Sequence, residues 1–142
     1  MRSPPWAPSG TPPCRTGFGS SSGWLDARGF DSSRLAVWGW SRGGFGALRL
    51  AQGSPGWARA VAGFSPAISG GDAVFRASDA LAGTPLGLCC GEDDSFYPAV
   101  QELVAALPEP PEWLHHGPGG HTRDYWNGLT PSAFAWLASH LA

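Results

Sequence analysis

Ser41, Asp94 and His121 have the residue types for acyl-transfer chemistry, and Ser41 and His121 stand in glycine-rich surroundings. A serine hydroxyl is a weak nucleophile until a general base takes its proton, and an imidazole serves best when a carboxylate fixes its tautomer. Ser41 lies in Gly39-Trp40-Ser41-Arg42-Gly43, at the end of an apolar run and ahead of Gly44-Phe45-Gly46-Ala47-Leu48. This pattern predicts a serine on a sharp strand-to-helix turn, whose strained backbone needs small residues two places before and two places after it. Gly39 and Gly43 fill those places. A helix over residues 42–52 then aims its positive N-terminal end at the hydroxyl, where acyl transfer develops negative charge. In a chain with 21 glycines the bland alternative is a glycine-rich turn with a chance serine. The flanking strand and helix patterns decide against it.

The base and the acid follow from placement. Among four histidines, His121 alone comes after a glycine pair, Gly119-Gly120, which frees the backbone to bring an imidazole over a sheet edge. His115 and His116 end a strand and His140 lies in the last helix, so these three read as partly buried or surface histidines. Asp93 and Asp94 both follow an apolar strand. Asp94, third after Gly91 and at the start of the loop, is the preferred acid.

The elements that must carry these groups are legible from periodicity. Apolar runs predict strands over residues 35–40, 59–64, 85–90 and 112–115. Helical stripes cover 42–52, 72–81 with Asp72 as N-cap, 97–107 and 124–142, the last interrupted near Thr130-Pro131 with Pro131 in a first helical turn. Strands alternating with helices imply a parallel sheet covered on both faces, with the ligand site at the carboxyl ends of the strands. Ser41, the two aspartates and His121 each follow a predicted strand and meet at that edge. Residues 1–23 are rich in Pro, Gly and Ser without helical or strand period, and are expected to form a poorly ordered leader. A short helical tail at 24–29 and a turn at 31–33 lead into the domain, giving a leader over 1–30 and a domain over 31–142.

Composition narrows the partners. The 142 residues suit one soluble domain, and the net charge of −2, scattered along the chain, argues against nucleic acid or an anionic membrane. No run reaches the 18 or so apolar residues of a membrane span and no signal-type segment opens the chain, which gives a cytoplasmic expectation. All nine basic residues are arginines, a compositional bias to which no function is attached. Cys14, Cys89 and Cys90 lack metal-ligand spacing, and the adjacent pair reads as small core residues. Trp40, Phe96 and Trp126 read as aromatic core ahead of cleft lining, and the Arg42 side chain as a solvated arginine at a helix start ahead of an anion-binding one.

Four motifs taken together point further: Val37-Trp38-Gly39-Trp40-Ser41 with Gly43-Gly44-Phe45-Gly46-Ala47-Leu48, then Phe64-Ser65-Pro66-Ala67, then Cys90-Gly91-Glu92-Asp93-Asp94-Ser95-Phe96, then Gly119-Gly120-His121 with Tyr125-Trp126. This set resembles the esterase D-like and mycolyltransferase-like branch of the α/β hydrolases, over residues 31–142. The order serine, acid, histidine is also that superfamily's chain order. The resemblance implies Ser41 as nucleophile, Asp94 as acid, His121 as base and the Arg42 backbone N–H as one oxyanion donor. It implies a small acyl ester or thioester as substrate, and neither metal nor organic cofactor. The branch carries several strands before the serine, and a loop there supplies the second oxyanion donor. Residues 1–34 contain no convincing strand and no H-G-G-type loop. The expected fold is therefore a truncated α/β-hydrolase fold, its first strand bare along one edge and open to self-association. Losing one oxyanion donor costs on the order of 10² to 10³ in rate. Beside a serine hydrolase stand two alternatives: an acyltransferase, differing only in the acceptor, and a non-catalytic fragment that keeps the three side chains.

Overall fold

A computed structural model describes residues 22–142, in two units divided after Ser33. Of the expected leader, residues 1–21 lie outside the described residues. In the smaller unit residues 22–26 are helical, somewhat earlier than the tail predicted at 24–29. The Arg28 guanidinium lies over the Trp24 ring, and the Asp26 carboxylate accepts the Ser32 N–H and O–H.

The larger unit is built on four strands: β1 (Ala36–Trp40), β2 (Ala60–Phe64), β3 (Leu86–Gly91) and β4 (Trp113–Gly117). They are all parallel, in the order β1-β2-β3-β4. Parallel neighbours need crossovers, supplied by α1 (Arg42–Gly53), by α2 (Ala73–Arg76) with a 3-10 turn at Ser78–Leu81, and by α3 (Tyr97–Ala106). Strands added in one direction through right-handed crossovers put every connection on one face of the sheet. The other face is left to α4 (Arg123–Ser139).

Two cores result. On the crossover face Leu48, Val61, Leu88, Cys90, Val100 and Leu103 pack together; on the α4 face Ala62, Phe64, Cys89, Trp126, Ala133 and Leu137 do so. Successive residues of β2 and β3 alternate between the two, which is why both strands are apolar throughout. Each fully buried leucine contributes about 1.5–3 kcal/mol. Gly87 leaves room for Trp136 of α4, whose ring would lie 2.7 Å from an added Cβ. Among the described residues β1 is an edge strand, and no helix is long and apolar enough to cross a membrane.

Two helical expectations need correction. The stripe over 72–81 is not one helix but α2 and the 3-10 turn. Asp72 makes no side-chain cap bond to α2; its carboxylate accepts the Ser69 N–H at 2.7 Å instead. The break is stabilised from a distance, because the buried Gln52 amide of α1 donates to the Val74 and Ala77 carbonyls at 2.8 and 2.9 Å. Conversely, α4 is not interrupted, and Pro131 lies inside it. The Thr130 hydroxyl donates to the Trp126 carbonyl at 2.9 Å, adding a bond in the turn that the proline leaves one N–H short.

Both thiols of the adjacent cysteine pair are free and buried, and burial pushes Cys90 up to about 12 and Cys89 higher still. Since only the thiolate alkylates readily, peptide mapping after iodoacetamide at pH 8 should find both unmodified in the native protein and modified in guanidinium. Rapid native labelling of either would contradict this core.

Candidate active site

The turn between β1 and α1 consists of a single residue, Ser41, at φ 52° and ψ −120°. A non-glycine residue in such a conformation costs of order 1–3 kcal/mol and persists only where its surroundings enforce it. Here they do. The Ser41 N–H donates to the Phe64 carbonyl at 2.8 Å, and the Ser41 carbonyl accepts the Phe45 and Ala67 N–H groups, both at 3.0 Å. A Cβ at Gly39 would run into the backbone of Gly43, so β1 and α1 touch there. The small-residue requirement expected at Gly43 falls on Gly44 instead. A Cβ on Gly43 would meet nothing within 4 Å, whereas one on Gly44 would lie 3.1–3.2 Å from the carbonyls of Gly39 and Phe64 and the Cα of Pro66. The reason is rotational: residue 43 faces away from the sheet, and residue 44 lies over β1 and β2.

After β3 the chain bends so that Asp94 turns inward, 3% exposed. Its N–H donates to the Gly91 carbonyl, and its Oδ1 accepts the Phe96 N–H at 2.9 Å. Its Oδ2 lies 2.8 Å from His121 Nδ1, and His121 Nε2 lies 2.9 Å from Ser41 Oγ. A carboxylate only accepts, so Nδ1 carries the proton and Nε2 is left to accept from the serine hydroxyl. Asp93 is exposed, and its backbone N–H instead ties the loop to Gly119 at 3.0 Å. A Cβ on Gly91 would collide with the Gly119 carbonyl, so the acid loop and the histidine loop also meet backbone to backbone.

Two aromatic rings flank the imidazole: Phe96 at 5.3 Å and Trp126 at 4.9 Å, the latter edge to face at 88°. Of the three aromatics read as core, Trp126 is buried, Trp40 is 36% exposed, and Phe96 lines an open cleft of about 470 Å³. Arg42, Phe45, Ala67 and Asp72 complete that lining, and the Arg42 side chain is exposed. The Arg42 N–H opens α1, where first-turn amides have no intrahelical acceptor.

Sequence reasoning passed over one residue here. Ser65 follows β2 at φ 42°, fully buried, and its Oγ accepts the Trp126 Nε1–H at 2.9 Å. Its only sequence signal is the Ser65-Pro66 pair after the strand. The other histidines stand apart from Ser41: His115 is exposed on β4, and burial pulls His116 below its ordinary range against Tyr97. His140 Nε2 lies 2.9 Å from a Glu112 carboxylate oxygen.

The parallel sheet with these crossovers matches part of the α/β-hydrolase fold. The comparisons with solved structures agree. An S-formylglutathione hydrolase from Staphylococcus aureus superposes with a TM-score of 0.68 at 19% identity, over 86% of this chain and 62% of that one. A ferulic acid esterase gives 0.71 at 17% identity, over 83% and 57%. A serine hydrolase homologue from Coxiella burnetii gives 0.62 at 15% identity, over 98% and 66%. The chain thus spans less than two thirds of the length of each of these similar proteins. No protein-family model and no curated protein sequence matches it.

The glycine contacts predict opposite outcomes for two neighbouring substitutions. Gly39→Ala forces β1 and α1 apart and should cost about 1–3 kcal/mol or more in chemical denaturation. Gly43→Ala, into open space on a helix, should be neutral or stabilise by about 0.5–1 kcal/mol. Equal destabilisation by both would contradict the contact assigned to Gly39.

Proposed function

We propose that the chain is a serine hydrolase of small carboxylic esters or thioesters, acting through an acyl-enzyme on Ser41. The observation that carries this reading is the unbroken hydrogen-bonded series Ser41 Oγ, His121 Nε2, His121 Nδ1, Asp94 Oδ2, with steps of 2.9 and 2.8 Å across the ring. In this reading Ser41 Oγ attacks the acyl carbon as its proton passes to His121 Nε2, and Asp94 stabilises the imidazolium that forms. The oxyanion accepts the Arg42 N–H at the start of α1. Collapse breaks the bond to the alkoxide or thiolate, which takes the proton from Nε2. Water then attacks the ester, delivering its proton to Nε2, and the acid leaves as the Ser41 proton returns. An alcohol in place of water makes the same chemistry an acyl transfer. Residues 31–142 are in this account the C-terminal part of a hydrolase domain, cytoplasmic and without a cofactor.

Hydrolysis of 4-nitrophenyl acetate tests the assignments. Ser41→Ala and His121→Ala should each lower kcat by about 10³-fold or more, and Asp94→Asn by about 10⁴-fold through the wrong tautomer. Asp93→Asn should stay within about twofold, as an exposed carboxylate outside the series does. Activity in Ser41→Ala equal to that of the unaltered protein would overturn the reading. No hydrolysis by the folded, unaltered chain would replace it with the non-catalytic one.

A further inference from the structure

We propose that Ser65 and Trp126 form a positioning pair that holds the His121 imidazole in line between Asp94 and Ser41. The inference rests on the proposed role of His121 as base, and begins from an oddity of the backbone. Ser65 sits at φ 42°, a left-handed conformation that glycine adopts freely and asparagine or aspartate tolerates, but which serine rarely occupies. It is also completely buried. The backbone there favours glycine, so something else must require the side chain.

That requirement is visible. The Ser65 hydroxyl accepts the Trp126 Nε1–H at 2.9 Å, and Trp126 is itself only 5% exposed. With glycine at position 65 the indole N–H would be buried without its partner. The indole is thereby fixed in its own plane, and on one side Trp40 stacks on it at 5.4 Å and 9°. Its remaining task is at His121, which it meets edge to face at 4.9 Å.

His121 needs such support. Its side chain is 31% exposed and stands on a loop entered through Gly119 at φ 142°. Two hydrogen bonds hold the ring, and the one to Ser41 Oγ disappears whenever that oxygen is acylated. During the acyl-enzyme stage the imidazole is left with Asp94 and its aromatic neighbours. A ring that swings then is out of line for the water, and a displacement of about 1 Å can cost on the order of 10² in rate. The strained serine at the end of β2 thus reaches the base through one indole, without touching substrate.

Ser65→Gly separates this role from a merely structural one, because it removes the hydroxyl while relaxing the backbone. The thermal midpoint should change little, while kcat for 4-nitrophenyl acetate falls about tenfold or more and KM stays within about twofold. Trp126→Phe keeps a ring but lacks the N–H, and should give the same split. The double variant should be no slower than the worse single one, since both remove one contact. The proton NMR spectrum gives a readout independent of turnover: the far-downfield line of the His121 Nδ1–H bound to Asp94 should be sharp in the unaltered protein and broadened in both variants. A sharp line in folded Ser65→Gly, kcat unchanged there, or effects that multiply in the double variant would overturn the proposal. An unaltered protein that is inactive yet has the line, broadened by Ser65→Gly, would remove the hydrolase reading and leave the positioning pair standing.

Discussion

The hydrogen bond from the Ser41 N–H to the Phe64 carbonyl, 2.8 Å long, is the constraint on which the rest of the candidate site depends. It joins the turn after β1 to the last residue of β2, a strand buried along its whole length. From the same end of β2 the Ser65 N–H donates to Cys89 of β3, the Ser65 hydroxyl accepts from Trp126 of α4, and the Ala67 N–H donates to the Ser41 carbonyl. The turn after β1, strand β3 and helix α4 are therefore all referenced to one short piece of central sheet. The relative positions of serine, acid and base inherit its rigidity.

That arrangement explains how two non-glycine residues persist with positive φ within one small region. Strain of this kind cannot hold itself; it is enforced by bonds that a relaxed backbone would lose. At Ser41 the enforcing bonds are main-chain and the side chain is left free to face His121. At Ser65 the side chain itself is engaged, which ties the packing of α4 to the geometry of the loop that precedes it. Close backbone contacts of Gly39 with Gly43 hold β1 against α1 at the serine turn, and those of Gly91 with Gly119 bring the acid and histidine loops together, where side chains would hold them apart.

Much of this was legible in the sequence, because it depends on local signals. Short continuous apolar runs with helical stripes between them located four strands and the crossovers, and a parallel sheet followed. Ser41, Asp94 and His121 were candidates because each follows a strand in a loop marked by glycine, and the structure brings these three side chains within hydrogen-bond reach. What was not legible depended on partners far along the chain. The break in the 72–81 stripe is supported by the side chain of Gln52, and Pro131 is tolerated in a helix that packs Trp126, Ala133 and Leu137 against the sheet. A Cβ on Gly44 rather than on Gly43 would press on the sheet, because residue 44 of α1 faces β1 and β2, a contact that spacing along β1 does not show. Ser65 was marked only by the Ser65-Pro66 pair after the strand; its conformation and its partner appear only once α4 lies across β2.

The central claim is that this chain by itself assembles a serine whose proton the histidine can take. Intact-mass analysis after treatment with a fluorophosphonate, which phosphonylates only an activated serine, tests it most directly. The account predicts one added phosphonyl group on the folded protein, mapped to Ser41 and absent from folded His121→Ala. A folded protein that takes no label, or takes it on another serine, would contradict it.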